Sequence, residues 1–569
     1  MVEHDGADQV ADITAGYVFE GPTLQLGAAL VDGTLHTGAQ VRLPLAMMNR
    51  HGLIAGATGT GKTVTLQVLA EQLSAHGVPV FLSDIKGDLT GLATPGTASE
   101  RLAKRTTSVG QDWAPAAFPV EFLSLGRDGN GIPVRATISS FGPLLLSRVM
   151  DLNETQESSL QLVFHYADRN GLELYDLADL RAVIGFLTSA EGKEALELLG
   201  GLSKATAGVI LRELVALEAQ GMDAFFGEPE FDTADLLRTA ADGRGIITAL
   251  ELVAVQQKPR LFSTFLMWLL ADLFAELPEV GDVDKPRLVF FLDEAHLLFT
   301  GSSKAFRESI QATVRLIRSK GVGIFFITQT PRDLPGEILG QLANRVQHAL
   351  RAYTPDDAKA LRATVSTFPT SPYDLEEVLT SAGIGEAVVT VLNEHGAPTP
   401  VAWTRLRSPA SVMGRAPEGT VPAAVASSPL LARYGESVDR HSAFETLAAR
   451  DAPGGAADGG SGTRADPPAG TGVASRREDR DAEARRIEDE ILGTSSPPAG
   501  PGTGYGSGGR GEGDGRRSGQ GRAQRTDRWA GRAPDRDEMA DLALRAAGVI
   551  GKELARGLFG TRRRRRPWS

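Results

Sequence analysis

The chain has no cysteine, so neither a disulfide framework nor a thiolate metal site can organise it. Its start, MVEHDGADQV, has no basic segment followed by an apolar one, and no signal peptide is read there. No apolar run is long enough for a clear membrane span. The strongest, Leu261 to Leu277, is slightly short and contains Asp272 and Glu276, which reads as a buried helix. A soluble, cytoplasmic protein is expected. Positive charge is also lacking over most of the chain. Residues 451–569 carry 22 Lys+Arg against 18 Asp+Glu, so a net charge of −12 for the whole leaves −16 on residues 1–450. An acidic body argues against a broad nucleic-acid surface, although it leaves room for a local basic channel in an oligomer.

At 569 residues the chain exceeds the size at which one core keeps growing, so several regions are expected. Up to about Leu406 the sequence is apolar and periodic. Residues 451–569 are dominated by Gly, Ser, Pro, Arg, Asp and Ala, the composition of a disordered tail. The resulting division is a short β extension at 1–46, a nucleotide-binding core at 47–132 and 286–406, a mostly helical insertion at 133–285, an extension at 407–450, a disordered linker at 451–535 and a terminal segment at 536–569. That last segment combines an apolar helical stripe, Met539 to Leu554, with the run Arg562 to Arg566.

Residues 56–63 read GATGTGKT, a complete G-x-x-x-x-G-K-[ST] string. Gly56, Ala57, Thr58, Gly59, Thr60 and Gly61 would turn the backbone so that its N–H groups face phosphate oxygens, beside the positive end of the following helix. Lys62 would reach the β- and γ-phosphates of ATP, and Thr63 would hold Mg²⁺. A chance glycine turn is the bland alternative. The context opposes it, because RHGLIAG reads as a buried strand, Val64, Val68, Leu69 and Leu73 recur at helical spacing, Gly77 fits a C-terminal cap, and VPVFLSD (78–84) reads as the next buried strand.

A second apolar strand, LVFFLDEAH, delivers Asp293 and Glu294. Beside a phosphate loop, Asp293 would coordinate Mg²⁺ and Glu294 would deprotonate the attacking water; otherwise the pair merely caps a helix. Gln329 ends the strand after that, where a polar side chain can touch the γ-phosphate and the water, or else cap the loop before Pro331. Asp84, Lys86 and Asp88 either border the site or satisfy their own loop. Arg315, Arg318 and Arg345 are candidates for an arginine acting from a neighbouring subunit, and Arg318 is favoured. His296 completes the letters DEAH, but a two-domain helicase needs a second domain that the chain has no room for, so it reads as packed or hydrogen-bonded.

Together RHGLIAGATGTGKT, FLSDIKGDLTGL, LVFFLDEAHLLF, RLIRSKGVGIFFITQTP and LGQLANRVQHALRA resemble the bacterial HerA-like ATPases that carry a helicase HerA-like C-terminal domain. The resemblance covers residues from about 20 to about 448. It implies an α/β fold, a RecA-like ASCE P-loop NTPase with a mostly parallel central sheet, and a homo-hexameric ring related to HerA and FtsK translocases. It also implies the Walker A pair Lys62 and Thr63, the Walker B pair Asp293 and Glu294, the sensor Gln329 and the arginine Arg318. Only 55 residues precede the loop, so the N-terminal β-barrel of HerA helicases is missing or vestigial and a HerA-type nuclease partner is doubtful. Three functions compete: a DNA-dependent translocase or helicase, a motor acting on protein or at an anionic membrane surface through the tail, and a nucleotide-gated scaffold with little turnover.

Overall fold

The computed structural model describes residues 6–451, apart from 127–128, 197–199, 282, 301 and 303. The tail beyond it, with its linker, helical stripe and arginine run, lies outside the described residues. Twelve strands join in one sheet: β1 (Thr23–Val31), β2 (Thr34–Pro44), β3 (Gly52–Ala55), β4 (Val80–Asp84), β5 (Val120–Ser124), β6 (Ile132–Pro133), β7 (Ile247–Glu251), β8 (Leu288–Leu292), β9 (Val322–Thr328), β10 (Asn344–His348), β11 (Glu386–Thr390) and β12 (Ala402–Leu406). Their order is β2-β1-β12-β11-β10-β3-β9-β8-β4-β7-β5-β6. From β10 to β6 every neighbouring pair is parallel, whereas β10, β11, β12, β1 and β2 pair antiparallel. The chain thus has a mostly parallel α/β sheet with β9 inserted between the phosphate-loop strand and the carboxylate strand, as a RecA-like ASCE fold requires.

The strand sequences account for this. β3, β4, β8 and β9 are buried at every position, and their Leu, Ile, Val and Phe content suits strands covered on both faces. The β1–β2 hairpin turns at Asp32 (φ 49°) and Gly33 (φ 71°), the paired positive φ values of a tight hairpin turn. Helix Glu154–Arg169 starts on an Asn153–Gln156 capping box, and Pro259 opens helix Pro259–Glu276, where its missing N–H costs nothing.

Three features differ from the sequence pattern. Helix Gly6–Gly16 occupies the start of the stretch 1–46 read as a β extension; only Gln9 and Ile13 of it are buried, too thin a stripe to announce a helix. Strand β5 is a core strand that no alternation signalled. The stretch 133–285, read as mostly helical, contributes strand β7 to the main sheet, between β4 and β5. The helices Glu154–Arg169, Leu177–Thr188 and Lys204–Ala219 share one core with the sheet.

Phe265 links the two. It is fully buried, with ring centroids 6.4 Å from Phe81 on β4, 6.0 Å from Phe225 and 6.1 Å from Trp268. Phe265→Ala is expected to lower stability by about 3–5 kcal/mol and to move sheet and helices together, read as one shifted transition in chemical unfolding. Two separate transitions would show that the helical part has its own core.

His51 supplies a pH dependence. Its Nδ1 accepts the N–H of Ile324 at 3.0 Å, so its protonated Nε2 donates to the Val314 carbonyl at 2.7 Å. Burial pushes its pKa down to about 4. The folded state therefore refuses a proton that the unfolded chain takes up below about 6.5, and stability falls as pH drops through that window. By pH 5 the loss is about 2 kcal/mol. Urea midpoints between pH 7 and 5 should fall less steeply in His51→Gln than in the parent.

Candidate nucleotide site

The site forms at the C-terminal edge of the parallel strands, where ligands of open α/β sheets bind. Register places its members side by side. Ala55 pairs with Thr328 and Gln347, so Gly56 follows between Gln329 on one side and His348 on the other. Leu292 pairs with Ser83 and Phe326, which sets Asp293 next to Asp84. The loop is hooked to both neighbours: the Gly56 N–H donates to the Thr328 carbonyl at 3.2 Å and the Ala57 N–H to the Ala349 carbonyl at 2.8 Å.

Gly56 (φ 153°), Gly59 (φ 79°) and Gly61 (φ 114°) hold conformations that other residues rarely adopt. Gly56 is also crowded, since a Cβ there would come within 2.4 Å of the His348 Cβ. Thr58 and Gly59 are exposed at the loop tip, and Thr60 is buried, its hydroxyl donating to the Ala57 carbonyl at 2.7 Å. Gly61 stands at the N-cap of helix Lys62–Ala75 with no side chain capping it, which leaves first-turn N–H groups for an anion. Lys62 is buried and donates to the Gly56 and Ala57 carbonyls at 2.6 and 3.1 Å. Burial pulls its pKa down, against the nearby Glu294 carboxylate. Thr63 follows, half-buried.

Asp293 is 2% exposed. Its N–H donates to the Ser83 hydroxyl at 3.0 Å, while Oδ2 is buried without a hydrogen-bond partner and burial pushes the carboxyl up to about 6. An orphaned anionic oxygen next to a phosphate loop is the chemistry a Mg²⁺ ion satisfies, so the residues fit the metal. Among the described residues no group of three or more His, Cys, Asp or Glu could hold a metal ion, and such a Mg²⁺ would take further ligands from phosphate and water.

Glu294 follows in the left-handed region at φ 46°, ψ 47°, a strain of order 1–3 kcal/mol that tends to persist at functional positions. Its Oε1 accepts from Lys86 Nζ at 2.6 Å, and its Oε2 lies 3.4 Å from His296 Nδ1. Burial favours the neutral acid, but the Lys86 hydrogen bond and charge hold the carboxyl below its ordinary value. His296 is one-third exposed and lies beside Glu294; it is not packed away.

The remaining candidates separate. Asp84 satisfies its own loop, accepting from the N–H groups of Gly87, Asp88 and Leu89, and this presents Lys86 to the carboxylates. Gln329 is exposed at the edge. The turn after it is held by Asp333, which accepts from the Thr328 hydroxyl at 2.8 Å and the Thr330 N–H at 2.9 Å. Arg318 is not brought to this edge. It sits in the turn Arg318–Lys320 before β9, roughly 20 Å away along the strand, and lines a cleft of about 430 Å³ with Arg50, Gln341, Glu394 and His395. Arg345 is tied to the Thr367 hydroxyl at 2.6 Å. Sequence reasoning missed His348 and Asp333. His348 is fully buried, within 2.9 Å of the Thr65 hydroxyl through Nε2, and a histidine inside an apolar strand gives no local signal of that contact.

Gly56→Ala is expected to weaken nucleotide affinity at least tenfold, measured by displacement of a fluorescent analogue, because loop and β10 must part. Adding His348→Gly should recover part of the loss; no recovery would place the defect elsewhere.

The helicase HerA-like C-terminal family model matches residues 31–496. The DNA double-strand break repair helicase HerA of Saccharolobus solfataricus strain P2 is 21% identical over 368 residues, covering 64% of this chain. The match spans 66% of that relative's length. Similar solved structures include the conjugative coupling protein TrwB lacking its first 70 residues (14% identity, 71% of this chain and 95% of that one, TM-score 0.45). Another is VirB4 of Thermoanaerobacter pseudethanolicus (15% identity, 69% and 98%, TM-score 0.41). With the phosphate loop and the carboxylate pair on one sheet edge and a family match over most of its length, the chain belongs to the helicase HerA-like C-terminal family of P-loop ATPases.

Proposed function

We propose that the chain is an ATP-hydrolysing motor that works as a homo-hexameric DNA translocase or helicase. The observation that carries the catalytic part is the placement of Glu294 and Asp293 on the phosphate-loop edge, with one Glu294 oxygen held by Lys86 and the other turned toward His296. Family membership and the name of the archaeal relative support DNA as the track.

In this reading the loop N–H groups and Lys62 bind the β- and γ-phosphates, Lys62 exchanging its loop carbonyls for phosphate oxygens. Thr63 and Asp293 would hold Mg²⁺, which when bound would neutralise phosphate charge. Gln329 orients a water in line with the γ-phosphorus. As the water oxygen bonds to phosphorus and the bond to the ADP oxygen breaks, Glu294 takes the water's proton. Arg318 acts from a neighbouring copy, since in its own chain it stands at the opposite sheet edge. The alternative of a motor on protein or at a membrane has its motive in the acidic body and in tail residues outside those described; among the described residues no helix is long and apolar enough to cross a membrane.

The test is the ATPase rate of a sample of known oligomeric state, with and without single- and double-stranded DNA across a salt series. DNA should stimulate turnover, and stimulation should fade as salt rises. A rate unmoved by DNA at every salt concentration overturns the DNA reading. Glu294→Gln should lose about 10²–10⁴ in rate while still binding ATP; equal rates in parent and variant would overturn the role of Glu294.

A further inference from the structure

We propose that Lys86 is a placeholder for the divalent cation: when no nucleotide is bound, its ammonium holds the charge position between Asp293 and Glu294 and keeps the bare ion out. The inference rests on the nucleotide-site reading above and adds a positioning residue that acts through the carboxylate pair.

Lys86 Nζ lies 2.6 Å from Glu294 Oε1 and 3.9 Å from Asp293 Oδ2. Like Glu294 Oε2, the latter oxygen has no hydrogen-bond partner, and the Lys86 ammonium lies within ion-pair distance of it. The backbone that presents Lys86 is fixed. Asp84 accepts three consecutive N–H groups just after it, and Arg415 donates to the Lys86 carbonyl at 3.0 Å. The side chain itself is free to leave, being 40% exposed on a flexible four-carbon stem.

Charge balance gives the arrangement its consequence. Lys62 and Lys86 face Asp293 and Glu294, with Asp88, Asp333 and Arg415 close enough to add to the field. A bare divalent cation entering that cluster meets an ammonium already beside its ligand and finds few protein oxygens to complete its shell. A triphosphate changes both terms. It adds negative charge that draws Lys62 from the loop carbonyls, and it adds oxygen ligands, so the ion enters with the nucleotide and Lys86 swings away from Asp293. The same movement releases Glu294 Oε1 from its hydrogen bond at the moment when a water needs a base. Asp88, half-buried and close enough to act on Lys86 by charge, gives the departing ammonium a second partner.

The experiment is Mn²⁺ binding to the full chain without nucleotide, followed by electron paramagnetic resonance, with thermal unfolding of each variant as a fold check. Lys86→Met should raise Mn²⁺ affinity by at least about tenfold, because a repelling unit charge within 4 Å is removed. Lys86→Gln should do the same, and it replaces Lys86→Met should that variant not fold. Lys86→Arg, which keeps the charge, should bind Mn²⁺ as weakly as the parent. Adding Asp293→Asn to Lys86→Met should abolish the gain. Unchanged affinity in both neutral variants, or a gain that survives loss of Asp293, overturns the placeholder. The titration needs no turnover, so its outcome is separate from that of the Glu294→Gln rate measurement.

Discussion

Gly56 is the residue on which the site depends. It is clasped between the Thr328 carbonyl and the His348 side chain, so the phosphate loop cannot shift without moving β9 and β10 as well. That clasp is a register constraint more than a local turn. Parallel strands in fixed register carry it sideways from β3 to β9 to β8, and Gly56, Gln329 and Asp293 follow those strands on the same edge. The loop's geometry and the placing of Asp293 and Glu294 are therefore one fact about the sheet, supported by a core whose strands are buried on both faces.

Putting charges on that edge works against burial, and the site shows how the cost is offset. Lys62 alone would be driven toward its neutral form, and Asp293 toward its protonated one, by removal from water. Each is held near a group of opposite sign, so the cluster approaches neutrality as a set even though few of its members form close pairs. The closest pair is Lys86 with Glu294. A base engaged by an ammonium is a poor proton acceptor, which makes the arrangement a resting one; what activates it has to bring negative charge and compete for the lysine. A nucleoside triphosphate has that property, and the left-handed backbone at Glu294 keeps the carboxylate at the turn where the exchange takes place.

Much of this was legible in the sequence because it depends on short spacings. GATGTGKT and LDEAH each place their chemistry within a few residues of a strand end, and the apolar runs before them announce buried strands. The helix caps at Asn153, Ser203 and Thr354, each accepting the N–H of the third residue on, are local in the same way. What was hidden depends on distance. Lys86 meets Glu294 across 208 residues, His348 meets Thr65 across 283, and β7 joins the sheet far from the strands it pairs with. No local period encodes those meetings. Helix Gly6–Gly16 failed for a different reason: its apolar face is too small to outweigh its polar composition.

The proposed role of Arg318 requires a second copy of the chain. The phosphate-loop residues, Asp293, Glu294 and Gln329 sit at the C-terminal edge of the parallel strands, while Arg318 lies beyond the N-terminal end of β9, within a cleft that also holds Arg50. No side chain spans the intervening length of a strand, so an arginine there cannot serve its own phosphate loop. It can serve another copy's only through a heterologous contact in which the C-terminal edge of one subunit faces the N-terminal edge of the next. Contacts of that kind close into rings when the rotation between copies permits. The proposed role of Arg318 is compatible with the proposed hexamer through such a contact: a motor built this way would have little reason to hydrolyse ATP until its neighbour is in place.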